Sequence, residues 1–202
     1  MTITQPLRDE HAELVPHIAA LATAGDAVGA VPVEQLRHLV DESYRFLDEQ
    51  LIPHAQAEDR ALYPAVQKIL GSSKATATMS RDHVEVGALT DELGAFRERL
   101  GTSDVVDDEL ARGLRRVLYG LHHLVKVHFA KEEEVFLPIL EEGLTPGEAT
   151  AMFEAMHEHD HTTHGHTSHG RTTRGHTSHG HGSDDHGSHV PGEGSQDDQR
   201  VD

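Results

Sequence analysis

The sequence contains no cysteine and no tryptophan, and only 4% of its residues are aromatic. Without cysteine the chain cannot form disulfides, thiolate zinc sites or iron–sulfur clusters. Leucine, valine and alanine supply the apolar side chains instead, and they suit helix packing. The composition therefore favours an all-α fold and leaves histidine and carboxylate side chains as the candidate metal ligands.

Positive charge is also scarce: the chain has 17 lysine and arginine residues but 35 aspartate and glutamate residues, which gives a formal net charge of −18. Nucleic-acid binding is disfavoured, since neutralising phosphates needs a basic surface. Excess acid is instead typical of soluble proteins with an affinity for cations. The first eleven residues contain no apolar signal core, and no run is long enough to span a membrane. We expect a cytoplasmic protein without a membrane partner.

Apolar residues become rare at the carboxyl end, which predicts one domain over residues 1–156 and a disordered tail over residues 157–202. Eleven of the 19 histidines lie between His157 and His189. Residues 161–170 are repeated with small changes in residues 171–180. Such a tail predicts binding of Ni²⁺, Zn²⁺ or Cu²⁺ by neutral imidazoles, and the alternative is a tail that only aids solubility.

Four amphipathic helices are predicted from apolar residues that recur in alternating steps of three and four. The first begins near Thr4. The second begins at Pro32 and ends near Leu62, because Pro64 disfavours α geometry at Tyr63. A short apolar stretch follows the second helix before Gly71.

Capping residues predict where the later helices begin. Ser72 or Ser73 is expected to cap the third helix, and Ser103 or Asp104 the fourth. The fourth helix is expected to carry Val135 on its inner face and to end or kink at Pro138. Thr145 and Glu148 form a predicted capping box that opens a short fifth helix across one end of the bundle.

A histidine followed four residues later by a glutamate occurs twice, in the second helix as His54–Glu58 and in the fourth as His128–Glu132. Residues four apart lie on the same face of a helix, one turn apart. His11 and His83 occupy apolar positions of the first and third helices. Short connections predict an up-down-up-down four-helix bundle, which places all of these residues at one end.

These six residues are the candidate metal ligands: His11, His54, Glu58, His83, His128 and Glu132. A single core histidine is usually structural, and a single His-x-x-x-Glu pair is usually a solvated helix face. Six such groups buried together would carry a large desolvation cost, which two metal ions remove. Imidazole with carboxylate favours iron, manganese or zinc. His122 is interpreted as structural, Glu133 is an alternative ligand, and Tyr63 is a packing residue, ligand or hydrogen donor.

The pattern resembles the hemerythrin-like family with its HHE cation-binding motifs over roughly residues 5–140. The segments that carry the resemblance are His54-Ala-Gln-Ala-Glu58-Asp-Arg-Ala-Leu-Tyr-Pro64, His128-Phe-Ala-Lys-Glu132-Glu-Glu-Val-Phe-Leu-Pro138, Arg81-Asp82-His83 and Arg8-Asp9-Glu10-His11. The resemblance implies a non-haem di-iron centre in a four-helix bundle.

The chain departs from the oxygen-carrying hemerythrins at two points. Gly87 stands where they have a second histidine in the third helix, and His128 and Glu132 stand four apart where they have histidine and aspartate five apart. The resemblance therefore favours a protein that binds or reacts with peroxide, O₂ or NO, including catalase-like peroxide decomposition, rather than an oxygen carrier. The alternatives are a metal store, buffer or sensor without catalysis, and a helical interaction module.

Overall fold

The structure is a computed structural model that describes residues 2–157, and these residues are almost entirely helical with no strand among them. The predicted histidine-rich tail lies outside the described residues. Four long helical segments, which we call bundle helices 1 to 4, are followed by a short fifth helix. Bundle helix 1 is Gln5–Ala27, bundle helix 3 is Ala77–Thr102 and the fifth helix is Pro146–His157.

Bundle helices 2 and 4 contain π-helical turns. Bundle helix 2 consists of Val33–Phe46, the π turn Leu47–Leu51, Ile52–Ala57, the π turn Glu58–Leu62 and Tyr63–Leu70. Bundle helix 4 consists of Asp108–Lys131, the π turn Glu132–Phe136 and Leu137–Gly143.

The bundle helices form a square in which each packs against the helix before and the helix after it, and helix 4 closes on helix 1. Neighbouring helices run in opposite directions. Arg37, near the start of helix 2, donates to the Leu100 and Ser103 carbonyls at the end of helix 3, at 2.9 and 2.8 Å. Arg115, near the start of helix 4, donates to the Val28 carbonyl just after helix 1. This arrangement agrees with the predicted up-down-up-down bundle.

Two apolar clusters fill the interior on either side of a polar layer. The larger cluster includes Leu14, Leu51, Val86 and Phe129, one or more from each bundle helix. The smaller cluster lies at the end of the bundle and is made by these buried residues: Leu7, Leu62, Tyr63, Val66, Met79, Phe136, Leu137, Leu140, Met152 and Met156. The candidate ligands fall between the two clusters along every helix.

The π turns correct the predicted end of the second helix. Tyr63 has α geometry, and the helix continues through Pro64 to Leu70. Tyr63 donates its N–H to the Glu58 carbonyl five residues back, and Ile52 and Leu137 make the same bond before Pro53 and Pro138. The extra residue in each π turn moves the carbonyls of the preceding turn away from the proline ring, so the helix continues beyond the proline. An end of the fourth helix at Pro138 is therefore also wrong.

The third π turn changes which side chains face the core. Val135 was predicted to face inward, but it is 49% exposed and Phe136 is buried in its place. A period of 3.6 residues predicts Val135, whereas one additional residue in the turn from Glu132 moves the inward position to Phe136. The predicted inner position of Val135 is wrong for this reason.

Two of the predicted caps are also wrong. Helix 3 begins at Ala77 after Thr76, since residues 73–76 form turns, and neither Ser72 nor Ser73 caps it. Helix 4 is capped by Asp107, whose carboxylate accepts the Leu110 N–H at 2.8 Å. The predicted capping box of the fifth helix is present, because Glu148 accepts the Thr145 N–H at 3.0 Å and Thr145 accepts the Glu148 N–H at 3.3 Å.

Within residues 2–157, no helix combines the length and the apolar character that crossing a membrane requires.

Candidate metal centre

The structure brings all six predicted ligands into one buried layer. Bundle helices 1 and 3 contribute His11 and His83, while the two His-x-x-x-Glu pairs come from helices 2 and 4. The carboxylates of Glu58 and Glu132 are fully buried. Two overlapping groups have ligand atoms within 4.8 Å of one another, and Glu58 belongs to both.

The first group is built around the histidines of helices 1 and 2. His54 Nε2 lies 3.1 Å from Glu58 Oε1, and His11 Nε2 lies 3.6 Å from the same oxygen. His11 Nε2 also lies 3.6 Å from Glu132 Oε2. We call this arrangement of two imidazoles and two carboxylate oxygens position one.

The second group is built around the histidines of helices 3 and 4. His83 Nε2 lies 3.3 Å from Glu58 Oε2, and His128 Nε2 lies 3.3 Å from Glu132 Oε1. The two imidazole nitrogens are 3.0 Å apart. We call this arrangement position two. Each glutamate therefore offers one oxygen to each position, which is the geometry of a carboxylate that bridges two ions.

Tyr63 adds a further oxygen to position two. Its hydroxyl donates to Glu132 Oε1 at 2.7 Å and lies 3.2 Å from His83 Nε2 and 3.1 Å from His128 Nε2. The phenol is therefore part of the polar layer, as ligand or hydrogen donor, rather than only a packing residue. The π turn from Glu58 to Leu62 turns Tyr63 inward, and a regular helical period does not reveal that orientation.

Every candidate histidine is held from outside by a carboxylate. Nδ1 of His11 lies 2.8 Å from Glu133 and Nδ1 of His54 lies 2.9 Å from Glu10. Nδ1 of His83 lies 2.9 Å from Asp59 and Nδ1 of His128 lies 3.2 Å from Asp82. Sequence reasoning missed the role of these four acids, although each is the direct neighbour of a candidate ligand. Glu133 faces His11 Nδ1 rather than the centre.

With Nδ1 donating outward, each Nε2 presents a lone pair to the centre. These five buried atoms have no hydrogen-bond partner within the described part of the chain: His11 Nε2, His54 Nε2, both Glu58 oxygens and Glu132 Oε2. Buried polar atoms without a partner are costly, and here all of them are lone-pair donors that converge on one layer. A cation satisfies such a set, so the residues fit a metal centre.

The charges of the layer are strongly coupled. Burial lowers the pKa of His54, but the Glu58 carboxylate and the bond with Glu10 outweigh burial and raise it to about 10. Burial raises the pKa of Glu58, but His54 with His11 and His83 holds it well below its usual value. Burial together with the two carboxylates raises the pKa of Tyr63, so its hydroxyl keeps its proton. Burial also lowers the pKa values of His11 and His83, but Glu58 outweighs burial and raises them, so without metal His11, His54 and His83 hold protons that balance the carboxylates.

A cavity of about 10 Å³ adjoins both positions on the side of the larger apolar cluster. Beside His54, Glu58, His83 and His128, its walls are Leu51, Ala55, Val86, Val125 and Phe129. A cavity needs about 10–15 Å³ to hold one water, so this space is of single-molecule size. Gly87 is not among its lining residues, and a side chain added at Gly87 would meet nothing within 4 Å.

The other histidines of the described residues lie away from the layer. His122 donates from Nδ1 to the Ile18 carbonyl at 2.9 Å and so joins helices 1 and 4, which agrees with a structural role. His17 stacks on Phe46, and His38 is exposed beside Glu42.

Comparison with known proteins identifies the family but no individual relative. The chain matches the Hemerythrin HHE cation binding domain over residues 2–118, which is more than half of its 202 residues. Neither a curated protein nor a solved structure gives a significant match. The matched region contains His11, the first His-x-x-x-Glu pair and His83, and helix 4 adds the second pair to the same layer. The chain belongs to the hemerythrin HHE cation-binding domain family.

Proposed function

We propose that the polar layer binds two iron ions and acts on a small oxidant or gas such as peroxide, O₂ or NO. His11 and His54 would hold one ion, His83 and His128 the other, and Glu58 and Glu132 would bridge them. The convergence of five buried, unpartnered lone-pair donors between two apolar clusters carries the proposal. Mixed imidazole and carboxylate ligands favour iron, manganese or zinc over calcium or magnesium.

The total charge around the layer matches two divalent ions. Six carboxylates surround the four imidazoles, and Arg8 and Lys131 pair with Glu133 and Asp82. With neutral histidines, and with Arg8 counted toward Glu133 although it also pairs with Glu141, these groups leave four negative charges, the number that two divalent ions neutralise. The two charges on Glu58 and Glu132 are fully buried, and burying them without a cation is costly.

A bound pair of iron ions would supply electrons to, or accept them from, a small molecule that reaches the centre. The protein limits which molecules reach it. The cavity beside the centre is apolar apart from the ligands and holds about 10 Å³, so it admits a molecule of two or a few atoms. Larger organic substrates are excluded by Leu51, Val86 and Phe129, which belong to the larger apolar cluster.

Tyr63 is placed to hold a proton at the centre. Its hydroxyl donates to Glu132 Oε1, and the raised pKa of the phenol keeps it neutral. A neutral hydroxyl 3.1–3.2 Å from two ligand nitrogens can donate to a small molecule or to a bridging carboxylate without moving the backbone. General acid catalysis of this kind requires such hydrogen-bonding distance.

Iron content and visible absorption of the full chain test the proposal. Wild type loaded anaerobically with iron should retain two ions after desalting and absorb in the visible on oxidation, whereas Glu132→Ala should lose both properties. Glu134→Ala is the matched control, because Glu134 is exposed in the same π turn. Peroxide turnover by wild type and the control, and its loss in Glu132→Ala, would separate catalysis from storage. Absence of metal from wild type would refute the proposal.

Metal storage, buffering or sensing is the second candidate function. The duplicated histidine-rich segment favours it, with Ni²⁺, Zn²⁺ or Cu²⁺ as its ions. This segment lies outside the described residues. Iron bound at the centre without any peroxide turnover would favour this candidate.

A further inference from the structure

The four outer carboxylates form a closed circuit around the bundle. Glu10 on helix 1 binds a histidine of helix 2, and Asp59 on helix 2 binds a histidine of helix 3. Asp82 on helix 3 binds a histidine of helix 4, and Glu133 on helix 4 binds a histidine of helix 1. Each helix therefore supplies the acid that orients the imidazole of the next helix. We call these four acids the carboxylate ring.

Side chains outside the ring hold three of its members. Arg8 pairs with Glu133, Lys131 pairs with Asp82, and the Ser80 hydroxyl donates to Asp59 at 2.6 Å. These contacts fix both the position and the charge of the three carboxylates. Among residues 2–157, Glu10 makes its polar side-chain contact with His54 alone.

An internal repeat explains which ring members are supported. Arg8 and Ser80 each stand three residues before the one candidate ligand of their helix, and each holds a ring member. Lys131 stands directly before Glu132 and holds Asp82, whereas Ala57 stands at the same place before Glu58. The two halves of the layer follow one plan, except that Ala57 offers Glu10 no charged side chain where Lys131 holds Asp82.

We propose that the four ring acids are positioning residues that set how strongly the centre binds metal and in which oxidation state. The proposal rests on the metal centre proposed above. Each carboxylate fixes its imidazole with Nδ1–H outward and Nε2 inward, and its negative charge makes Nε2 a stronger donor. A stronger donor stabilises a trivalent ion more than a divalent one, so the ring favours the oxidised centre.

Glu10 offers the cleanest test of the ring. Replacing Glu10 by glutamine removes the charge but keeps an oxygen that can accept the His54 N–H, and no other polar contact of the described residues is lost. Glu13→Gln is the matched control, because Glu13 is exposed on the same helix and its substitution changes the net charge by the same amount. Both variants are made in the full chain, so metal bound elsewhere cancels in the comparison.

Co²⁺ is the affinity probe, because its visible spectrum reports buried coordination without oxygen chemistry. Competition with a chelator should show that Glu10→Gln binds one of two ions about 10–100-fold more weakly than wild type, the range found for orienting residues of metal ligands. Glu13→Gln should match wild type. Equal affinity of all three proteins would overturn the ring proposal, whereas a wild type without buried Co²⁺ would count against the metal centre itself.

The reduction potential of the iron-loaded protein distinguishes an effect of the carboxylate charge on the metal from an effect on the position of the imidazole alone. Glu10→Gln should raise the potential, because the ferric ion loses more than the ferrous ion when the carboxylate charge is removed. A tenfold larger loss for the ferric ion corresponds to about 59 mV. If Glu10→Gln binds metal more weakly but keeps the wild-type reduction potential, the ring only holds the imidazoles in place. That result would overturn the proposed effect of the ring on the oxidation state.

Discussion

Tyr63 is the side chain that makes the two positions of the centre different. It stands five residues after Glu58, and Leu137 stands at the same distance after Glu132. The phenol reaches Glu132 and the two histidines of position two, while leucine offers no polar atom to position one. Together with the 3.0 Å contact between His83 Nε2 and His128 Nε2, this difference explains why the unpartnered nitrogens belong to His11 and His54.

We predict that Tyr63→Phe destabilises the metal-free protein by about 1–3 kcal/mol, because it leaves Glu132 Oε1 buried without a donor. Urea unfolding of chelator-treated protein measures the change. Tyr119→Phe is the matched control, since the Tyr119 hydroxyl bonds Asp26 at the surface. Peroxide turnover should fall in Tyr63→Phe even where its iron content equals that of wild type. Unchanged stability and turnover would exclude Tyr63 from the centre.

The raised pKa of His54 predicts how the metal-free protein responds to pH. A histidine that gains a carboxylate partner on folding stabilises the fold fully below its ordinary pKa of 6.5, and this contribution disappears as the pH rises through about 10. The free energy of unfolding should therefore fall between about pH 6.5 and 10, as measured by urea titrations after chelation. Glu58→Gln should flatten the dependence, because it removes the charge that raises the pKa of His54. A flat profile for wild type would contradict the ion pair.

The π turns are the elements that adapt a regular bundle to its centre. Two of them begin at Glu58 and Glu132, and all three end two residues before a proline. Each turn inserts one residue into the helical period, so side chains beyond it face the core at shifted positions. Tyr63 and Phe136 reach the polar layer and the smaller apolar cluster in this way.

Deleting Arg60 should convert the second π turn to a regular turn and rotate the following residues out of the core by one position, about 100°. Tyr63 and Val66 are almost fully buried, so their displacement should cost about 3–5 kcal/mol. Urea unfolding measures the loss, and Arg60→Ala, which keeps the chain length, should change little because Arg60 is exposed. Equal stability of the two variants would show that the extra residue does not set the register.

Helical periodicity predicted the elements and the six candidates because the stripes of His11, His83 and His128 keep a regular period up to the layer. The buried residues Leu47, Leu51 and His54 still follow in steps of four and three across a π turn. The prediction failed at the π turns that begin at Glu58 and Glu132: Pro64 suggested an end of the helix near Leu62, and a regular period placed Val135 inward. A proline usually ends a helix. Whether a preceding π turn lets the helix continue past the proline depends on packing at the end of the bundle. The outer acids were missed because an acid beside a ligand looks like an ordinary solvated residue until the next helix is in place.

At the scale of the whole molecule, the chain combines a bundle with an ordered polar layer and a histidine-rich segment beyond residue 157. The layer draws at least one ligand from every bundle helix, and the carboxylate ring ties each helix to the next. Nothing in these contacts requires a residue beyond His157. We therefore expect residues 1–157 to contain the complete metal centre.

A chain ending at His157 tests this division. It should keep the helical content, the iron stoichiometry and the visible spectrum of the full chain, because all six candidate ligands and the ring remain. It should lose the additional Ni²⁺ that the ten histidines beyond His157 predict for the full chain. The full-length Glu58→Ala variant should show the reverse pattern, with Ni²⁺ bound and the iron spectrum absent. Loss of iron on truncation would mean that the carboxyl-terminal segment contributes to the centre. Equal Ni²⁺ binding by the truncated and the full chain would show that this segment does not bind Ni²⁺.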